Sequence, residues 1–420
     1  MEAILDELGH PERPLRGALI GGTNGKGSVV AIARSVLGAA GLRVGTMPKP
    51  HLVTYRERIA IDGGPLDEAR FARAVARVLP AVDRVAHRLG PPTEFEALTA
   101  TAFAELAASD VDLVLVEVGM GGRLDATNVL DAGVAAITNV QLDHERYLGH
   151  TLTAIGIEKA AIIKPGNLAV TGATGRGLRP IVERARQLGS PLSLVGPRRP
   201  YRATVRRTGW DGLVLDLRSP GNVLRDVHLG LLGSHQASNA AIALALIDAL
   251  RVDAMRRNRP LDGLTEAAVR AGLRDVRWPG RLELLRGTPC GDVLLDGAHN
   301  PAGSRALAGA LEELGMRHFP LVFGAMRGKR VPDMLRSLAA LDPIPIFTAV
   351  DDAGARSPRE LLDAWRAVGG SRGRGAADPR QALELAAGLR RSPEQPLVVA
   401  GSLYLVGAVR AMLAGGEAAA

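Results

Sequence analysis

Five lysines stand among 52 basic residues, and each lies in a short segment whose residue types could do chemistry. They are Lys26, Lys49, Lys159, Lys164 and Lys329. Arginine cannot replace a compact ammonium or an amine that gives up its proton, so a chain that uses arginine almost everywhere keeps lysine for particular tasks. For Lys164 and Lys329, chance retention explains the sequence equally well, whereas Lys26 and Lys159 are candidates for chemistry.

The segment "ALIGGTNGKGS" places glycines between an apolar strand and the start of a helix. Backbone N–H groups and a helix N-terminus can hold phosphates there, and Lys26 can reach their outer oxygens. The spacing departs from the common GxxxxGK[ST] pattern, since Gly22 and Gly25 lie closer together and Gly27 separates Lys26 from Ser28. A glycine-rich turn without a ligand is the alternative interpretation.

A carboxylate and an imidazole follow two further strand patterns. Glu117 ends "VLVE", and Asp143 and His144 follow "VAAITNV". Mg²⁺ beside a phosphate prefers few protein ligands, carboxylates among them, so Glu117 is a metal candidate. A purely structural role is the alternative for His144.

The elements that must position these residues follow βαβ order. The patterns predict a strand before Gly21, a helix over about 28–40, and buried strands over 111–119 and 134–140. Over 191–226 the pattern becomes alternating and rich in turns, which predicts a small antiparallel sheet attached to the first domain. The prediction is an α/β chain with an N-terminal P-loop-type, doubly wound domain whose site residues lie at the carboxyl ends of its strands.

A second, smaller α/β domain of Rossmann-like type is predicted to follow. "GDVLLDGAHNPAG" opens a new strand–loop–helix unit, so we expect domains over 1–287 and 288–420. The second sheet should be mostly parallel. The segment 369–379 is predicted to be a loop, and the alanine-rich C-terminus is expected to fray.

Composition narrows the class of protein. The net charge of +8 suits an anionic partner, but the 3% aromatic content argues against a nucleic-acid stacking platform, so small polyanions fit better. A single cysteine, Cys290, excludes an internal disulfide. The start lacks the features of a signal peptide, and no apolar run reaches membrane-spanning length, so a cytoplasmic location without nucleic-acid or membrane partners is expected.

Taken together, the ordered segments resemble a known family. They are "GTNGKGS", "PHLVTYRERI", "FEALTATAF", "EVGMGGRLDATNV", "LDHERYLGHTLTAIGIEKAAIIKPG", "WPGRLE" and "LDGAHNPAG". This set, from about residue 17 to the C-terminus, is similar to folylpolyglutamate synthase and dihydrofolate synthase of the Mur ligase group. The resemblance implies an ATP-dependent amide ligase that adds L-glutamate to reduced folates, and to dihydropteroate, through an acyl phosphate. It also implies Mg²⁺, and a monomer whose partners are small molecules.

The resemblance assigns roles to individual residues. It implies catalytic roles for Lys26, Glu117, His144 and Lys159, with the last three as metal ligands and Lys159 carbamylated. It implies ATP contacts for Asn24, Gly25, Lys26, Gly27, Ser28, Asn239, Arg281 and Asp296. Carbamylation requires a neutral amine, which desolvation favours. An ion pair between Lys159 and Glu158 or another neighbour is the alternative.

For the folate or pteroate substrate, the resemblance implies contacts from two segments. These are Thr93, Glu94, Phe95 and Glu96, and Leu124, Asp125 and Ala126. The sequence alone also predicts a helix start here, with Thr93 and Glu96 as a capping box. His299 and Asn300 are expected to order a second-domain loop near the phosphates, or to be purely structural.

At one position the chain departs from the family pattern. Where the family usually has serine, serine, proline and histidine, this chain has Pro48, Lys49, Pro50 and His51. Lys49 therefore replaces a hydroxyl that helps to bind magnesium. Its ammonium could replace part of the metal's charge, contact a phosphate or point to solvent.

Two other functions stay open at this point. A Mur-type ligase for a cell-wall precursor would explain the phosphate loop and Glu117 but not the folate-type segments. A nucleotide-switch binding protein would explain only "GTNGKGS". The sequence does not decide between one glutamate-adding reaction and two.

Overall fold

A computed structural model describes residues 1–414 of the chain. Its elements form a large mixed sheet, a small antiparallel sheet and a second mixed sheet, with helices on both faces of the two larger sheets. The α/β prediction for two sheet domains is confirmed.

The first sheet has eight strands in the order β4-β3-β2-β5-β1-β6-β7-β8. Its strands are β1 (Gly17–Gly21), β2 (Val44–Met47), β3 (Ala60–Ile61), β4 (Gly64–Pro65), β5 (Leu113–Glu117), β6 (Gly133–Ile137), β7 (Leu168–Thr171) and β8 (Leu192–Leu194). All but the β2–β3 and β3–β4 pairings are parallel. The central strands β1, β5 and β6 are buried at every residue, as expected of a parallel sheet covered on both faces.

Helices cover both faces of this sheet. They are α1 (Glu2–Glu7), α2 (Lys26–Ala39), α3 (Glu68–Leu89), α4 (Glu94–Ala107), α5 (Glu145–Leu148), α6 (Leu152–Ala160), α7 (Gly175–Gln187), α8 (His235–Arg256) and α9 (Glu266–Asp275), with 3-10 turns at Tyr55–Arg58 and Ala126–Val129. One core cluster joins α2 and α8 to the sheet, and another joins α4, α6 and α7 to its opposite face. The helix predicted from residue 28 begins two residues earlier, at Lys26.

The antiparallel sheet consists of β9 (Arg202–Gly209), β10 (Gly212–Ser219) and β11 (Asn222–Leu229). Leu213, Leu215 and Leu217 of β10 are buried in the same core as α8, which attaches the sheet to the first domain as predicted. The predicted start of this sheet at residue 191 was wrong, because β8 is instead the parallel edge strand of the large sheet.

The second sheet has the order β12-β13-β17-β14-β15-β16. Its strands are β12 (Glu283–Thr288), β13 (Gly291–Leu295), β14 (Pro320–Phe323), β15 (Ile344–Phe347), β16 (Arg374–Gly375) and β17 (Leu397–Ala400). Its helices are α10 (Pro301–Glu313), α11 (Val331–Ala339), α12 (Pro358–Ala367), α13 (Pro379–Ala387) and α14 (Leu403–Ala414). Among the described strands of this second sheet, only the β12–β13 pair is antiparallel, so the prediction of a mostly parallel sheet is confirmed.

The predicted loop 369–379 contains the short strand β16, which pairs with β15. The domain division at 287/288 stays a prediction, and β12 lies across it. The expected fraying of the terminal alanines falls outside the described residues.

Candidate active site

One cavity of about 1620 Å³ lies where the carboxyl edges of the first sheet's strands face the second domain. Its wall contains nearly all of the predicted site residues. They are Asn24, Gly25, Lys26, Gly27, Ser28, Thr93, Phe95, Glu96, Glu117, Leu124, Asp125, Ala126, His144, Lys159, Asn239, Arg281 and Asp296. Among the predicted residues in the described part of the chain, Glu94 alone is not part of this lining; its side chain is exposed.

The phosphate loop leaves β1 and enters α2 through a backbone shape that requires glycine. Gly25 caps α2 with φ of 82°, in the left-handed region. A Cβ at Gly25 would also lie 3.2 Å from Cγ of Asn239 and nearer still to its Oδ1. Asn239 is held in turn by a hydrogen bond from its Nδ2 to Gln236 Oε1, 2.8 Å long. The loop and the buried start of α8 therefore fit together closely.

Two ammonium groups meet at one carbonyl oxygen of this loop. Lys26 Nζ donates to the oxygens of Gly22 and Thr23, at 3.1 and 3.2 Å. Lys159, on α6, donates to the same Gly22 oxygen at 2.9 Å. Burial, with the Lys26 charge adding to it, lowers the pKa of Lys159 to about 7. The amine of Lys159 is therefore available in its neutral form near neutral pH.

The alternative ion pair of Lys159 with Glu158 is absent. Glu158 accepts instead from Arg123, with 3.0 Å between Nη2 and Oε1. Within the described residues, Lys159 has no carboxylate at ion-pair distance, and its side chain is 3% exposed.

The candidate metal ligands lie at the ends of β5 and beyond β6. Glu117 is buried, and burial raises the pKa of its carboxyl group although Lys26 opposes the shift. His144 is the N-cap of α5, with φ of 50°, and its partial burial lowers the pKa of its imidazole.

This donor set fits a magnesium ion that phosphates also hold. Within residues 1–414, no three His, Cys, Asp or Glu side chains form a ready cluster for a metal. Mg²⁺ commonly keeps waters and uses one or two carboxylates together with substrate phosphates. Glu117 supplies one such carboxylate on the wall of the cavity that the phosphate loop also lines, and His144 adds an imidazole nitrogen to the same wall.

In the first of the two folate-type segments, Thr93 and Glu96 form the predicted capping box at the start of α4. Glu96 also accepts from the amino group of Met1 at 2.8 Å, and these hydrogen bonds lower the pKa of its carboxyl group to about 2. Glu96 is thus held by structural contacts, while the ring of Phe95 lines the cavity.

The second segment presents Leu124, whose side chain is 82% exposed, at the cavity mouth. Asp125 is fixed beneath it, accepting from the backbone N–H groups of Met120 and Thr127 at 3.0 Å each. An exposed apolar side chain beside a fixed carboxylate offers both apolar and polar contacts to a ligand in the cavity.

Lys49 does not point to solvent, so that alternative was wrong. Its side chain is 7% exposed, and Nζ lies 3.4 Å from the centroid of the Phe95 ring and 3.9 Å from Asp125 Oδ1. Its backbone N–H donates to Glu117 Oε2 at 3.0 Å. Burial lowers the pKa of Lys49 to about 7, against the opposing fields of Asp125 and Glu117.

The second domain reaches the phosphate loop through Asn300. Its Nδ2 donates to Asn24 Oδ1 at 3.2 Å and to Asp143 Oδ2 at 3.0 Å, while its Oδ1 caps α10. Lys329 Nζ lies 3.9 Å from Asp143 Oδ1. Asp143 therefore contacts two second-domain side chains, through a hydrogen bond from Asn300 and an ion pair with Lys329. Its sequence position did not indicate this role.

Two more residues that were predicted to contact ATP, Arg281 and Asp296, lie at the domain junction. Asp296, which is buried, accepts from the backbone N–H groups of Leu282 and Ala298 at 2.9 Å each. Burial raises the pKa of its carboxyl group despite the nearby Arg281.

Two site residues were missed by the sequence reasoning. Asn139 Oδ1 accepts from the backbone N–H of Asn24 at 3.0 Å, and Gln141 Oε1 accepts from Asn24 Nδ2 at 2.7 Å. Both follow β6, so a search for polar residues just beyond buried strands would have found them.

Comparison with known proteins gives two family matches. Residues 73–247 match the Mur ligase middle domain, and residues 280–403 match the Mur ligase glutamate ligase domain.

Full-length relatives are similar along nearly the whole chain. The chain is 36% identical to the Mycobacterium tuberculosis dihydrofolate synthase/folylpolyglutamate synthase, over 98% of this chain and 89% of the relative. Its fold is similar to that of M. tuberculosis folylpolyglutamate synthase complexed with ADP, with a TM-score of 0.88 at 34% identity, covering 98% and 93% of the two chains. It is also similar to Escherichia coli FolC in complex with DHPP and ADP, with a TM-score of 0.83 at 28% identity, covering 99% and 92%.

Proposed function

Because the chain belongs to the dihydrofolate synthase/folylpolyglutamate synthase family of Mur ligases, we propose that it joins L-glutamate to folates with the hydrolysis of ATP to ADP and phosphate. The observation that carries the proposal is the single cavity lined by the phosphate loop, the Glu117–His144–Lys159 group and both folate-type segments. A cell-wall precursor ligase is set aside, because the full-length relatives bear the names of folate enzymes.

The chemistry proceeds in two steps. First, a carboxylate oxygen of the folate attacks the γ-phosphorus of ATP, the bond to the bridging oxygen breaks, and ADP leaves. Next, the amine of glutamate attacks the acyl carbon, phosphate leaves with the bonding pair, and the nitrogen gives up its proton. Both steps bring anions or strong dipoles together, so positioning and fixed positive charge are what the protein supplies.

The phosphate loop is placed to do this for ATP. The N-terminus of α2 lines the cavity, and its backbone N–H groups can hold phosphate oxygens there. Lys26, which now donates to loop carbonyls, can turn to the outer phosphate. Arg281 and Asp296 would contact the nucleotide from the junction and the second domain, so the site is complete only when the domains meet.

Mg²⁺ would be held by Glu117 and His144 and would supply charge neutralisation at the phosphates. We propose that Lys159 is carbamylated, since its buried amine has a pKa of about 7 and no carboxylate partner within the described residues. The carbamate would replace the ammonium that repels Lys26 with an anion that attracts it.

For the folate substrate, Phe95, Leu124 and Ala126 would contact the pterin and benzoate portions, and the backbone of the first segment is fixed by the Thr93–Glu96 capping box. The use of both dihydropteroate and a reduced folate monoglutamate as substrates stays a prediction. A monomeric state and a cytoplasmic location also stay predictions. Within residues 1–414, no helix has the length and apolar character needed to cross a membrane.

The test is ADP release by the purified chain with glutamate and one acceptor at a time: dihydropteroate, tetrahydrofolate or a muramyl substrate. Stimulation by at least one of the two pterin acceptors is expected. Stimulation by the muramyl substrate alone would refute the proposal.

A further inference from the structure

Lys49 brings a buried ammonium to the cavity wall without an acceptor for its protons. An ammonium group has three donors, and leaving donors unpaired away from water is unfavourable. Within the described residues, Nζ of Lys49 has no solvent contact and no hydrogen-bond partner.

The two neighbouring carboxylates do not fill this need. Both oxygens of Asp125 already accept from Met120 and Thr127, and the 3.9 Å separation from Lys49 Nζ is too long for a hydrogen bond. Glu117 accepts from the backbone N–H of Lys49, not from its ammonium. The protein therefore buries the Lys49 ammonium without giving its N–H donors an acceptor.

Another lysine of this chain has hydrogen-bond acceptors within the protein. Lys164, which is partly buried, donates from Nζ to Asn128 Oδ1 at 3.1 Å and to Leu130 O at 2.7 Å. It does not line the cavity among the described residues. A structural lysine thus has protein acceptors here, and the contrast indicates that the acceptor for Lys49 comes with a ligand.

Position identifies the ligand group. The backbone of Lys49 is tied to Glu117 on the phosphate side of the cavity, while its ammonium lies against Phe95 and Asp125 on the folate side. A carboxylate about to attack ATP must lie between these two sides. We propose that Lys49 is a catalytic residue whose ammonium binds the substrate carboxylate that ATP phosphorylates.

This inference rests on the proposed function and adds a residue to it. The lysine stem is flexible, so a carboxylate in the cavity can draw the ammonium away from the Phe95 ring. The bound charge then offsets the repulsion between the carboxylate and the γ-phosphate as they approach. A serine, which the family pattern has at this position, carries no such charge.

The test is the equilibrium binding of matched acid and amide ligands. Dihydropteroate and tetrahydrofolate are each used as the free acid and with the reacting carboxylate converted to a carboxamide, with ADP and Mg²⁺ present. The wild-type chain is expected to prefer the acid by about ten- to hundredfold, the range of a hydrogen bond to a charged group. Lys49→Met, or Lys49→Ser if the first variant does not fold, is expected to remove that preference.

The matched control is Lys164→Met, which should lower the thermal midpoint and keep the acid preference. Lys49→Met should keep or raise the midpoint, because it removes a buried amine that has no hydrogen-bond acceptor within the described residues. A Lys49→Met chain that retains the wild-type preference would overturn the inference, as would an active wild-type chain without any preference. Failure of the proposed function is separate: neither folate would then stimulate ADP release by the wild-type chain.

Discussion

Substitution of Gly25 by alanine tests the fit between the phosphate loop and α8. The left-handed backbone at φ of 82° costs a residue with a Cβ about 1–2 kcal/mol. The new Cβ would also press against Asn239, whose Cγ and Nδ2 would lie 3.2 and 3.3 Å away. The loop must therefore shift, and the N–H groups that it presents to a phosphate shift with it.

The expected result is a loss of about 1–2 kcal/mol in the free energy of unfolding and a nucleotide affinity at least about tenfold weaker, the effect of losing one hydrogen bond to a charged group. The assays are thermal or denaturant unfolding and calorimetric titration with ADP and Mg²⁺.

Gly38→Ala is the matched control on the same helix. Gly38 is exposed near the end of α2, and a Cβ there would have no atom within 4 Å. Alanine in a helix is more favourable than glycine by about 0.5–1 kcal/mol, so this variant should be slightly more stable with unchanged ADP affinity. Wild-type ADP affinity in Gly25→Ala would refute the reasoning about the loop.

Three further predictions concern charge and domain contact. With ¹³C-bicarbonate, the chain should show a carbamate NMR signal that grows from pH 6 to 8.5 and is absent in Lys159→Arg. The reason is that a pKa of about 7 leaves about 90% of the Lys159 amine neutral at pH 8. An unmodified amine in a fully active chain would exclude the carbamate. Between pH 7 and 10, Lys49 has lost its proton in the folded chain but keeps it in the unfolded chain, so the free energy of unfolding rises with pH. Lys49→Met should reduce the slope of this rise by about 1.4 kcal/mol per pH unit. An equal slope in both proteins would contradict the conclusion that burial lowers the pKa of Lys49. Asn300→Asp keeps the acceptor that caps α10, but it loses the donor to Asn24 and Asp143 and places a second carboxylate beside Asp143. Small-angle scattering should therefore show a larger radius of gyration than for the wild type. Equal radii would show that the hydrogen bonds of Asn300 do not hold the two domains together.

Much of the fold could be predicted because buried parallel strands carry a strong local signal. The runs that became β1, β5 and β6 are apolar except for Glu117 at the end of β5, and the glycines after β1 indicated the loop. The errors fell on β8 and β16, which have three and two residues. Strands that short have no periodicity to detect, and only their neighbours in the sheet determine that they are strands.

The site was predicted less completely, because its geometry depends on residues distant in sequence. The environment of Lys49 is set by Phe95 and Asp125, and nothing in "PKPH" indicates which way the side chain turns. The hydrogen bond between Asn24 and Gln141 joins residues 117 positions apart. Residue types at strand ends indicated where chemistry could occur, but partners and burial required the folded chain.

The most direct test of the account is the product formed from ATP, L-glutamate and a pterin acid. Mass spectrometry should show dihydropteroate or tetrahydrofolate gaining one glutamate through an amide, with one ADP and one phosphate formed per product. ADP release that neither acceptor stimulates, or that occurs without an amide product, would contradict the account.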